Sequence, residues 1–233
     1  MSSLKILSGG AAQGLVASLK PEFKAMTGLD IEGEFGAVGA MADKLRGGAA
    51  ADIVVLTAGM IADLARENLV ATASVKDIGL VETAIAIRAG DPQVAVHDAA
   101  ALRAALLAAD AIFVPDTRAS TAGIHVAKVL GQLGIADEVA ARLKIFPNGA
   151  TAMRNLAAST AARPIGCTQS TEILATAGVT LSGSLPQGCE LSTVYTAAVA
   201  TQAADAGHAQ ALIDLLTGAA AREQRNRAGF LEA

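Results

Sequence analysis

Aromatic side chains are scarce: tryptophan is absent, tyrosine occurs once, and the whole class makes up 3% of 233 residues. Any core must therefore be filled by alanine, valine and leucine. Hydrophobic residues at 52% against 17% charged supply a sizeable one and exclude a disordered chain. Basic residues are too few for a phosphate-backbone surface. Eighteen Lys and Arg against 22 Asp and Glu leave a net charge of −4 with no basic stripe, so nucleic acid is excluded as a partner. No apolar run approaches the roughly 20 residues that cross a bilayer, which excludes membrane insertion. Two cysteines, Cys167 and Cys189, stand without metal-type spacing and read as buried free thiols rather than a disulfide. Strand-like letters begin at Leu4, leaving no room for a basic stretch and an apolar signal segment. The chain as written is thus expected in the cytoplasm, and in the periplasm where a native leader has been removed.

Several chemistries lack their signatures as well. Gly9-Gly10 does not have the G-x-G-x-x-G spacing of a dinucleotide site, no G-x-x-x-x-G-K-[ST] loop exists, and no G-x-S-x-G elbow is present. His97, His125 and His208 show no metal spacing. Neither a metal nor a cofactor is expected.

What is present is an alternation of short apolar runs with longer Ala-rich stretches of helical period, the pattern of an α/β protein with mostly parallel strands. Strands are expected at Leu4–Leu7, Ile31–Phe35, Ile53–Leu56, Val81–Ile87, Ala111–Val114, Ile165–Thr168 and Val194–Thr201. Helices are expected at Ala12–Thr27, 40–45, Met60–Glu67, Ala99–Ala108, Gly123–Leu133, Asp137–Leu143, Thr151–Ala158, His208–Leu216 and Ala219–Asn226. Residues 145–148 read as a connecting segment. The order suggests one lobe of residues 1–87 plus 194–233 and a second of 88–193, the second inserted into the first through two crossing strands.

In open parallel sheets, ligands sit beyond the carboxyl ends of strands, where helix N-termini present unpaired N–H groups. Five such turns carry small or hydroxyl residues. Ser8, Gly9, Gly10 and Ala11 follow the first strand, Gly36, Ala37 and Val38 the second, and Thr57 the third. Ser120 and Thr121 open one later helix; Thr168, Gln169 and Ser170 lead into another. Turn and capping chemistry explains any one of these loops alone, but their repetition at strand ends marks a binding site for a small anion. Tyr195 lies in the second crossing, and Arg118 and Arg88 are candidate partners for a carboxylate. His125, near the Ser120 loop, and Glu172 are the candidate acid/base groups should the site be catalytic.

The stretches Ser8–Ala12, Phe35–Met41, Gly48–Val54, Pro115-Asp116, Ala122–Ala127, Val194–Val199 and Ala228–Phe230 together resemble the molybdate-binding proteins of ABC importers. The resemblance covers nearly the whole chain. It implies a type II periplasmic-binding-protein fold, two α/β lobes joined by two crossing strands with a ligand cleft between them, closing on a small anion. An importer permease becomes a partner only where a leader has been removed. Molybdate-holding members use serine hydroxyls in the first two loops, whereas Gly10-Ala11 and Gly36–Gly39 offer mostly backbone N–H groups, which argues against molybdate itself. The same fold is similar to that of aconitate isomerase, so a cofactor-independent isomerase acting on a small unsaturated carboxylate is the alternative expectation.

Overall fold

The computed structural model describes residues 3–232. Among them lie nine strands: β1 (Ser3–Gly9), β2 (Asp30–Gly36), β3 (Ile53–Thr57), β4 (Lys76–Arg88), β5 (Ala111–Pro115), β6 (Leu143–Phe146), β7 (Pro164–Gln169), β8 (Val179–Ser184) and β9 (Ser192–Val199). The helices are α1 (Gln13–Thr27), α2 (Val38–Arg46), α3 (Ala58–Arg66), α4 (Ala99–Ala108), α5 (Thr121–Gln132), α6 (Ala136–Val139), α7 (Gly149–Ala157), α8 (Ser170–Leu174), α9 (Ala206–Thr217) and α10 (Arg222–Arg227). The chain divides into two compact units. The first runs up to Val81 and resumes at Thr193; the second is Glu82–Ser192.

In the first unit β1 is the central parallel strand, flanked by β2 and β3, and β9 returns antiparallel along β3. Helix α1 forms because Leu15, Val16, Leu19 and Phe23 recur along one face, and all four are buried. Gly28 ends it in the left-handed region at φ 76°, its N–H donating to the Lys24 carbonyl at 2.8 Å. Phe23, Leu4, Ile6, Leu15, Leu19, Ile53 and Leu56 are almost wholly enclosed. Each such side chain contributes roughly 1.5–3 kcal/mol through burial. One charged group belongs to this frame. The buried Asp52 carboxylate accepts from the backbone N–H groups of Lys5 at 2.8 Å, Ala204 at 2.8 Å and Asp205 at 3.1 Å, tying the amino end of β3 to β1 and to the turn after β9.

In the second unit β4 lies between β7 and β8, antiparallel to both, and β5 joins β7 to β6 in parallel. Its core divides over the two faces. Leu102, Leu106, Ile112, Val126, Val129 and Ile135 pack together, while Phe113, Met153, Leu156 and Ile173 form a separate cluster. Both cysteines are free and belong to the first of these clusters. Burial pushes the Cys167 thiol up to about 12, and burial with the nearby Glu190 charge also raises that of Cys189. Neither is disposed to ionise near neutrality.

The expected helix at Asp137–Leu143 is shorter than its letters suggest. Regular α-geometry stops at Val139, a 3-10 turn covers Ala140–Arg142, and Leu143 already pairs with Ile112 as the start of β6. The 145–148 segment is partly this strand. Helix α8 starts at Ser170, where the Thr168–Ser170 turn was expected to lead into a helix, whereas strand β8 is an addition: it is half-exposed, pairs among the described residues with β4 alone and carries a register shift opposite Ile85/Ala86. Strand β4 starts five residues before the apolar run that marked it. No helix among the described residues is long and apolar enough to cross a membrane.

Candidate functional site

The parallel strands of the first unit end together. Register places Gly9 beside Gly36, Ser8 beside both Phe35 and Val55, and Thr57 opposite Tyr195. One sheet edge therefore gathers Ser8–Ala11, Gly36–Val38, Thr57 and Tyr195, nine of the expected ligand residues together with the turn that completes them. A 3-10 turn of Gly10–Ala12 leads into α1, and α2 and α3 start from the same edge. None of these three helices has an acidic residue in its first turn. Gly9, Ala12 and Ala37, at the caps, supply no side-chain acceptor, so the leading N–H groups are not capped by their own side chains. Thr57 is different: its hydroxyl accepts from the Met60 N–H at 3.4 Å.

The other residues of this edge shape it. The Ser8 hydroxyl is fully buried and donates to the Gly9 carbonyl at 2.8 Å, which spends it on the backbone. A Cβ on Gly9 would stand 2.9 Å from both Tyr195 Cε1 and Val38 Cγ1, so only glycine lets β1 end against them. Tyr195 is buried, its ring edge-on to Phe230 with centroids 6.4 Å apart and an interplanar angle of 87°.

In the second unit β5 and β7 are parallel neighbours, which brings the loop after β5 beside the end of β7. Asp116 folds onto that loop, its carboxylate accepting from the N–H groups of Arg118 at 2.7 Å and Ala119 at 3.0 Å. Arg118 is exposed, and among the described residues its guanidinium has no ion pair or hydrogen bond. Helix α5 then begins at Thr121 with Ser120 as its cap. Ser120 makes no side-chain cap bond, and the first turn holds no acid.

Two faces of β7 do different things, because successive strand residues point opposite ways. Thr168 donates its hydroxyl to Glu172 Oε2 at 2.6 Å. That carboxylate also accepts from the N–H groups of Ala150, Gln169 and Gly149, and so occupies the amino end of α7. Burial pushes the Glu172 carboxyl above the ordinary range, with these hydrogen bonds opposing the rise. On the other face, Gln169 is 3% exposed and neither end of its amide has a partner among the described residues. Thr83, directly opposite in register, and Thr171, two residues further on, each carry a buried hydroxyl in the same condition. Ser170, the first residue of α8, is also buried.

His125 lies in the second turn of α5. Its Nε2–H donates to the Cys189 carbonyl at 2.8 Å, which fixes the ring and leaves Nδ1 as the free acceptor in the neutral form. Arg88 is a correction. It stands beyond the Ile87–Ile165 pair, at the opposite end of the sheet from Gln169, and is spent on the Ser159 and Ala161 carbonyls and on Asp91. Sequence reasoning passed over Thr83, whose importance comes only from its cross-strand partner, and Gly149. Asn148-Gly149 did carry a signal, since Asn is a strong cap and its Oδ1 accepts from the Thr151 N–H at 2.8 Å.

Comparison with known proteins fits this arrangement. The family described as bacterial extracellular solute-binding protein matches residues 4–231. Among solved structures, the periplasmic molybdate-binding protein of Azotobacter vinelandii superposes with a TM-score of 0.83 at 17% identity, over 99% of this chain and all of that one. The sulfate-binding protein SubI of Mycobacterium tuberculosis gives 0.75 at 20% identity, over 99% and 86%. The fold is thus that of the type II periplasmic binding proteins. By its sequence the chain belongs to the bacterial extracellular solute-binding protein family. It is also 23% identical to an aconitate isomerase from a Pseudomonas species over 227 residues, which is 93% of this chain and 82% of that protein.

Proposed function

We propose that the protein binds a small anionic solute, held by the loops at the carboxyl ends of its strands. The observation that carries this is made in each unit by itself: α1 with its leading turn and α2 in the first, and α5 in the second, present N–H groups with neither a side-chain cap nor a first-turn acid. Partial positive charge at such ends favours an anion by about 0.3–1 kcal/mol each at exposed sites, and more where solvent is excluded. Arg118 adds a full charge that no carboxylate of the described residues claims. Family membership supports the reading, as do the molybdate and sulfate named for two proteins of the same fold. Where the protein is exported, an importer permease is the partner we propose for the loaded form.

Ligand-linked stability tests the reading directly. An anion that binds only the folded chain should add about 2.7 kcal/mol at 100 times its Kd. A thermal-shift panel of sulfate, molybdate, tungstate and di- and tricarboxylates is expected to single out one class. The Ser8 hydroxyl is spent on Gly9, and glycine and alanine stand where molybdate holders carry serine, so molybdate and tungstate should not rank first. A flat panel would end the anion reading.

The likeness to an aconitate isomerase favours a second reading, a proton shift along a small unsaturated carboxylate. Such a step requires a base and donors for the enolate-like charge. His125, with Nδ1 available, is the better base; Glu172 is already committed to four donors. Proton NMR of aconitate with the protein in D₂O should then show exchange that His125→Ala abolishes. Tight binding without exchange leaves a receptor alone.

A further inference from the structure

We propose that the bound anion is a hydroxycarboxylate, a carboxylate with a hydroxyl on the neighbouring carbon, rather than an inorganic oxyanion; this rests on the anion-binding reading above. Gln169 carries the argument. A carboxamide has two N–H donors and an acceptor oxygen, and here both Nε2 and Oε1 are buried with no partner among the described residues. The hydroxyl of Thr83, its cross-strand neighbour, is unmet as well, and so is that of Thr171 two residues further along the chain. Buried polar groups in folded proteins are nearly always paired, so a group this exacting at the end of a strand asks for a ligand of matching pattern. Sulfate, molybdate or a plain carboxylate accepts only. It would satisfy Nε2 and the threonine hydroxyls and leave Oε1 bare. A hydroxyl next to a carboxylate donates to Oε1 while the carboxylate oxygens accept.

The charged end of such a ligand has its own provision. The loop after β5, neighbour of β7 in the sheet, brings the unpaired Arg118 and the uncapped start of α5. An ammonium in place of the hydroxyl would also donate, but it needs a counter-charge. The carboxylate of Asp116 is folded onto its own loop and that of Glu172 is enclosed by four donors. On these two loops the donor that fits is therefore neutral.

Matched pairs titrated calorimetrically into the full chain test this: lactate against propionate, malate against succinate, citrate against tricarballylate, with aspartate, sulfate and molybdate beside them. In at least one pair the hydroxylated member should bind about 10-fold or more tightly than its deoxy twin. Gln169→Leu should reduce that preference to less than about 3-fold. The wild-type pairs decide the matter even if this variant folds poorly. Equal binding within every pair, or strongest binding of sulfate, molybdate or aspartate, would overturn the hydroxycarboxylate and leave the anion reading standing. No binding of any anion would overturn both.

Discussion

Replacing Gly149 with alanine should destabilise the folded protein by about 3–5 kcal/mol, combining overpacking with weakened hydrogen bonds to a buried carboxylate. The added Cβ would lie 1.9 Å from Glu172 Oε2 and 2.1 Å from Thr168 Oγ1, far inside any tolerated contact. Neither neighbour can retreat cheaply. Glu172 is buried and receives N–H groups from the very turn that carries the new methyl, and Thr168 is a fully enclosed residue of β7. For a chain of this size, such a loss lowers the melting temperature by roughly 10 °C. Thermal and urea unfolding will check it. A change below about 1 kcal/mol would mean that the carboxylate is not held where α7 begins.

The pH dependence of the same group has a defined sign. Burial raises the Glu172 carboxyl in the folded state above its unfolded value, so the folded protein binds the extra proton between the two. Stability contributed by this group is complete below the unfolded pKa of about 4.3 and is lost as pH rises toward the raised folded value. Glu172→Gln removes that titration. The stability of the wild type minus that of the variant should therefore decline with rising pH from about 4.3 and then level off. Urea titrations across that range measure the difference, in which the exposed carboxylates cancel. A difference rising with pH would show that the four donors outweigh burial.

The parts of the site legible in the sequence are those whose chemistry is local. Ser8–Ala11, Gly36–Val38 and Ser120-Thr121 declare themselves because small residues after a short apolar run make a strand-to-helix turn whatever lies around them. The βα alternation was legible for the same reason. Gly149 and Glu172 were not legible as a pair, because 22 residues, strand β7 among them, lie between the two and only the fold brings the carboxylate to the start of α7. Thr83 is invisible without the β4–β7 register. Arg88 shows the reverse error: proximity in sequence to a crossing strand suggested a ligand contact, yet the antiparallel direction of β4 carries it to the far end of the sheet. Strand β8 was missed because an edge strand of half-buried small residues, VTLSGS, has too weak an alternation to stand out.

Asp52→Ala is expected to cost about 3–5 kcal/mol of stability while leaving the affinity of the folded protein for its anion unchanged within about twofold. Asp52 falls in Gly48–Val54, one of the stretches that resemble the molybdate-binding proteins of ABC importers, and a buried aspartate in such a place invites a functional reading. Its surroundings argue for a structural role. Both carboxylate oxygens are committed to backbone donors: Oδ2 to Lys5, and Oδ1 to Ala204 and Asp205. The residue's own carbonyl accepts from Ala200 at 2.9 Å, and its N–H donates to the Lys5 carbonyl at 2.8 Å. Alanine would leave three N–H groups without an acceptor in a 4% exposed position. Each such bond to a charged group is worth about 1.5–3 kcal/mol, less than additively. Asparagine, keeping one oxygen, should lose roughly half as much. The site is untouched because Asp52 precedes β3 and Thr57 ends it. Five residues of extended chain put about 17 Å between the amino end of the strand and the loops that would bind. Urea unfolding gives the stability loss, and calorimetric titration at a temperature where the variant is folded gives the affinity. Abolished binding at wild-type stability would make Asp52 part of the binding site.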